Sequence, residues 1–78
     1  MTRRVNGLLL RDTEGAKRPF LERIMDSVKR YAARFDKPAR VVQVWEGAPS
    51  VDLAGVEVVV SKLVKKDHFL VGEWSDAA

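Results

Sequence analysis

Two prolines, Pro19 and Pro38, bracket the stretch FLERIMDSVKRYAARFDK, and the spacing of its apolar side chains decides most of what this chain can fold into. Pro19 suits the first helical position, and Pro38 disfavours helical geometry at Lys37, so a helix is expected over about Arg18 to Asp36. At about 100° per residue, Phe20, Tyr31, Ile24, Phe35, Val28, Leu21, Ala32 and Met25 fall within an arc of about 140°. That is one continuous face to pack on a core. Asp26 precedes Lys29 and Arg30 by three and four positions, which supports the helix by a few tenths of a kcal/mol per pair.

After Pro38 the apolar period changes to two, and before the helix Leu8, Leu9 and Leu10 could equally begin a helix, but Gly7 and the turn residues that follow favour a strand. Arg4 to Arg11 reads as a short strand closed by Asp12-Thr13-Glu14-Gly15. Arg40 to Glu46 reads as a second strand, ended by Gly47-Ala48-Pro49-Ser50. The third, Val56 to Ser61, is β-branched and sets Val56, Val58 and Val60 against Glu57, Val59 and Ser61. Lys65-Lys66-Asp67 makes a polar turn into a fourth strand from His68 to Trp74, after which Ser75 to Ala78 are expected to fray. The outline β-α-β-β-β implies one small α+β domain over residues 1–78, with one long amphipathic helix packed on an antiparallel or mixed sheet in two layers. If the first two strands are parallel in one sheet, their connection through the helix is right-handed. Strand order does not follow from the pattern.

One helix cannot cover both faces of four strands, and Trp45, Val59, Phe69 and Trp74 place apolar side chains on more than one face. A second layer from another copy of the chain, and hence a homodimer or higher assembly, is therefore expected. A Val-rich strand at a sheet edge is an association hazard unless paired, which makes Val58, Val59, Trp45 and Trp74 the candidate interface.

The chain has 78 residues, 46% hydrophobic and 32% charged, which suits a folded globule near the lower size at which a core alone is sufficient. No segment approaches the roughly 20 apolar residues of a membrane span, so no membrane partner is expected. Arg3-Arg4 before a short apolar run has the look of an export signal, but Arg11-Asp12 cuts that run off, and it is read as the first strand. The absence of cysteine excludes disulfides, thiolate metal sites and cysteine nucleophiles, and it fits a reducing cytoplasm. With a single His, the usual metal clusters are out of reach, and no cofactor is implied.

The net charge of +3 is unevenly spread: residues 1–40 carry 11 Lys/Arg against 5 Asp/Glu, a balance of +6, and residues 41–78 carry 3 against 6, a balance of −3. Such asymmetry favours an anionic partner or head-to-tail association of unlike halves. On the helical wheel Lys37, Arg30, Arg23 and Arg34 lie together between about 260° and 320°, with no carboxylate among them. Arg30 and Arg34 are a like-charge i,i+4 pair that weakens the helix slightly, where a merely solvated face more often mixes signs. Guanidiniums suit bidentate phosphate contacts, and Lys37 serves as a point charge. Arg40 extends the set, and Arg3, Arg4, Arg11, Lys17 and Arg18 widen it if the strand ends lie nearby. The plainer reading is a solvated face, or one paired with Glu46, Glu57 or Glu73.

Smaller signals are weaker. Trp45, Trp74 and Phe69 would form a platform for unpaired bases if they shared an exposed face, although strand aromatics more often pack. Lys62, Lys65 and Lys66 suit a solvated turn. His68 beside Asp67 is the one hint of acid–base chemistry, and nothing orients it. Glu14-Gly15-Ala16-Lys17-Arg18 lacks the nucleotide-loop spacing, though a glycine and cations at a helix start favour an anion. The expectation is a non-enzymatic binding module that grips nucleic acid by its phosphates through Arg23, Arg30, Arg34, Lys37 and Arg40. The alternative is a protein-interaction or assembly module, with an acidic protein as the other possible partner of the stripe.

Overall fold

A computed structural model describes residues 3–13 and 17–76. The elements run β1 (Arg3–Arg11), α1 (Phe20–Phe35), β2 (Val41–Val44), β3 (Glu57–Val60) and β4 (His68–Asp76). The strands form one mixed sheet in the order β1-β4-β2-β3, with the helix on one face, so the domain is two-layered α+β. β4 is antiparallel to both β1 and β2, and β3 is parallel to β2. β1 and β2 therefore point the same way with β4 inserted between them, and the long helix spans the crossover. Among the described residues no helix is long and apolar enough to cross a membrane.

Both helix ends follow the prolines. Pro19 sits at the N-cap, and the first helical bond runs from the Arg23 amide to its carbonyl at 3.2 Å. At the other end Asp36 takes a left-handed conformation, φ 55°, and its amide donates to the Ala32 carbonyl at 2.9 Å. The helix is rolled relative to the sequence expectation. Its buried residues are Phe20, Ile24, Ser27 and Tyr31, whereas Leu21, Met25 and Phe35 are exposed. On the wheel this moves the buried centre by about 60° toward the basic flank. The cause lies on that flank, where Arg23 pairs with Asp12 at the end of β1 and draws the helix over. Ser27 tolerates burial because its hydroxyl donates to the Ile24 carbonyl at 2.6 Å.

The helix-facing side of the sheet carries Leu8 and Leu10 of β1, Val42 and Val44 of β2, Val58 of β3, and Phe69 and Val71 of β4, joined by Ala39. Trp45, expected at an interface, instead closes this core. Its ring lies 5.5 Å from Phe20 and 5.8 Å from Phe69, centroid to centroid. β2 ends at Val44, and the Ala48 amide bonds back to the Trp45 carbonyl at 3.2 Å, so Trp45 leaves the strand alternation and turns inward.

The opposite face is read from the register. Gln43, Leu70 and Leu9 form one row, Val41, Gly72 and Gly7 the next, and Trp74 lies beside Val5. Only glycine fits the centre. A Cβ at Gly7 would lie 1.9 Å from the Val71 carbonyl oxygen, and one at Gly72 would lie 2.2 Å from that of Asn6. Trp74 donates its indole N–H to Glu57 Oε1 at 3.0 Å, spanning β2, and Val41 between them is fully buried. Ser75 and Asp76, expected to fray, pair with Arg4 and Arg3 as the last rungs of the β1–β4 ladder. Ala77 and Ala78, the Glu14-Gly15-Ala16 part of the helix-start signal, and the side chain of Arg3 lie outside the described residues.

Candidate functional site

The five cations of the proposed stripe fall into three situations. Arg23 is structural. Its side chain is 13% exposed, its guanidinium pairs with an Asp12 carboxylate that is 3% exposed, and its Nε donates to the Arg18 carbonyl at 3.1 Å. It also lies 5.2 Å from the centroid of the Phe20 ring. Lys37 donates to Glu73 Oε1 at 2.8 Å, which raises its pKa above the ordinary lysine value, and both partners are open to water. Arg30, Arg34 and Arg40 are exposed, and no described carboxylate pairs with them. Arg34 lies 6.0 Å from the Phe35 ring centroid, and the Arg40 backbone is pinned between Gly72 and Glu57.

The structure adds two arginines to Arg23 and Arg30. Between the end of β1, the first turns of α1 and Phe69 lies a cleft of about 50 Å³, lined by Arg11, Arg18, Arg23 and Arg30 with Asp12 and Asp26. A single water needs roughly 10–15 Å³ by the same kind of measure, so the cleft has room for a few waters or one tetrahedral anion. Among the described residues, four guanidiniums face two carboxylates, an excess of two positive charges. Asp12 holds Arg23, and Asp26 holds Arg18. The hydrogen bond from Arg18 keeps the Asp26 pKa below its ordinary value, with the charges of Lys29 and Arg30 adding to it. Each guanidinium has five N–H donors, and a carboxylate partner uses at most a few of them. The held Arg18 and Arg23 together with the exposed Arg11 and Arg30 make a donor-rich, positively biased surface that suits phosphate oxygens.

A helical wheel shows only half of this arrangement, because Arg11 belongs to β1 and joins the helix cations solely through tertiary packing. The sequence offers Arg11 and Arg18 only as cations that widen the stripe if the strand ends lie nearby, and the fold brings both of them to it.

The remaining candidates are dispersed. Phe69 and Trp45 lie on the helix side of the sheet and Trp74 on the other, so the three aromatics share no stacking platform. On β3, Val58 packs against the core and Val59 is partly buried, while Val60 is 61% exposed at the sheet edge. Lys62, Lys65 and Lys66 are exposed in the connection from β3 to β4. His68 Nδ1 lies 2.9 Å from the Lys66 carbonyl oxygen, and since a carbonyl only accepts, that nitrogen carries the proton. Among the described residues no group of three His, Asp or Glu is placed to hold a metal ion. Comparison with protein-family models, with curated proteins and with solved structures gives no match for this chain.

Proposed function

We propose that this chain is a non-enzymatic binding protein for nucleic acid, which it grips by phosphate groups without reading base sequence. The observation that carries this reading is the arginine cleft. Arg11, Arg18, Arg23 and Arg30 converge there, and Arg30 and Arg34 continue the positive surface along one flank of α1. Arg23 and Arg18 act as fixed donors, Arg11, Arg30 and Arg34 supply charge that no described carboxylate pairs with, and Lys37 shares its charge with Glu73. Contacts of this kind position a polymer and carry no sequence information. A cysteine-free protein working on nucleic acid is at home in the cytoplasm.

The test is a fluorescence-anisotropy titration of labelled single- and double-stranded oligonucleotides over a salt series. With these three arginines engaged on duplex, the log–log salt slope is expected near −3, about −0.9 per phosphate neutralised. Reversing Arg30 and Arg34 to Glu abolishes binding and leaves the circular-dichroism spectrum unchanged. Failure of both oligonucleotides to bind at low salt sinks the reading.

A second reading, assembly of copies through β3, draws support from the position of that strand at the sheet edge and the exposure of Val60. Light scattering discriminates. Assembly predicts a dimer that Val60→Lys dissociates, whereas the cleft reading is indifferent to Val60.

A further inference from the structure

We infer that the helix-free face of the sheet is a binding groove for a free single-chain fatty acid, with the acyl chain on the sheet and the carboxylate at a basic rim. A groove of about 680 Å³ runs over this face. Pockets of roughly 300–1,000 Å³ are the usual size for a small organic ligand. Its floor follows from the register. Leu9 and Leu70 lie side by side, Gln43 continues that row on β2, and Val5 stands four residues before Leu9 on the same face of β1. Val5, Leu9 and Leu70 thus form an apolar trough, with the half-buried Gln43 as a polar side chain beside it.

The connection from β3 to β4 supplies a wall. Val64 is 7% exposed and stands outside the main core cluster, while its neighbour Leu63, also lining the groove, is 93% exposed. A leucine left wholly in water beside an apolar trough is the kind of exposed apolar surface that marks a binding site. With Gln43, the basic residues Arg4, Lys65 and His68 complete the described lining, and no carboxylate is among the described lining residues.

That charge pattern selects the occupant. A neutral chain leaves the rim unused and a cationic amphiphile is repelled. A second copy docked through the same face brings two basic rims together. An alkyl chain ending in a carboxylate satisfies both the trough and the rim. The groove lies on the opposite side of the sheet from the arginine cleft, since Leu9 and Leu70 line the one and Leu10 and Phe69 the other. The inference therefore stands independently of the nucleic-acid reading.

The experiment is a two-dimensional ¹⁵N–¹H titration of the whole chain with dodecanoate below its micelle concentration, beside dodecanol, dodecyltrimethylammonium and butyrate. The expected result is saturable shifts confined to β1, the Ser61–His68 connection and the neighbouring part of β4. Dodecanol and the ammonium compound bind at least about tenfold more weakly, and butyrate does not bind. Lys65→Glu lowers dodecanoate affinity about tenfold, the scale of one lost charge contact. Leu9→Asp, at a position already 61% exposed and so safe for the fold, removes binding. Equal affinity for dodecanol and dodecanoate overturns the inference, as do shifts centred on Leu21, Met25 and Phe35 of the helix. So does burial of this face by self-association as protein concentration rises.

Discussion

Replacing Arg23 by Met should cost the fold far more than the same replacement at Arg30, although the two stand on one flank of the same helix. The Asp12 carboxylate is 3% exposed and Arg23 13%, so truncating Arg23 leaves a charge nearly out of water. Removing one member of a buried pair costs about 3–5 kcal/mol, and the residual exposure of Arg23 argues for the lower end, about 3 kcal/mol. Arg30 is exposed without a carboxylate partner, and its replacement should stay within about 0.5 kcal/mol. A domain of 78 residues has on the order of 4–12 kcal/mol in all, so the first change takes a large share. Urea unfolding followed by circular dichroism reads this directly: at about 1 kcal/mol per molar, the midpoint falls by about 3 M for Arg23→Met and hardly moves for Arg30→Met. The double variant Asp12→Asn/Arg23→Met should recover part of the loss, since the buried carboxylate charge goes with its partner, and the cycle isolates the coupling. Equal midpoints for the two single variants would refute the assignment of Arg23 to the fold and return it to the binding surface.

Other perturbations follow from the same geometry. Asp36→Gly should stabilise by about 1 kcal/mol and raise the melting temperature by about 4–8 °C, because glycine takes the left-handed position without strain and a negative charge leaves the helix C-terminus. Gly72→Ala should cost about 4 kcal/mol or more, seen as a largely unfolded spectrum at 25 °C, since its Cβ meets backbone that cannot yield; a well-folded variant refutes the register. Asp26 has a depressed pKa, so its pairing with Arg18 stabilises the fold above the unfolded carboxylate pKa and the gain is lost as pH falls through the folded value. Asp26→Asn should therefore differ from the parent in urea midpoint at pH 7 and converge with it near pH 2. The Lys37–Glu73 pair has the opposite sign on the lysine side: its contribution is complete below the ordinary lysine pKa and fades as pH rises through the raised one, so Lys37→Met and the parent should converge in strong alkali.

The helix and all four strands were legible because each carries its own period and its own punctuation. Pro19 and Pro38 fixed the helix ends to within a residue or two, alternation located β2 and β3, and turn residues bounded β1 and β4. What stayed hidden depends on contacts between distant residues. The wheel weighs Leu21, Met25 and Phe35 as core because it counts hydrophobicity, yet the roll of the helix answers to a partner eleven positions before Arg23. Trp45 was misplaced because alternation was carried one residue beyond Val44, where the chain already turns. The insertion of β4 between β1 and β2 is set by pairing at long sequence separation, which local pattern does not encode. The arginine cleft was half visible for the same reason: Arg23 and Arg30 appear on the wheel, while Arg11 joins them only after the sheet and helix dock.

The most direct test of the central claim is a ¹⁵N–¹H titration that includes the arginine side-chain Nε–Hε resonances, using a short duplex at low salt. The account predicts that the Arg11, Arg30 and Arg34 side chains shift together with the backbone of Leu10 to Thr13 and the Arg23 to Arg34 part of α1, and that the shifts retreat as salt rises. Shifts confined to the β3 edge, or an unperturbed spectrum at low salt, would contradict it.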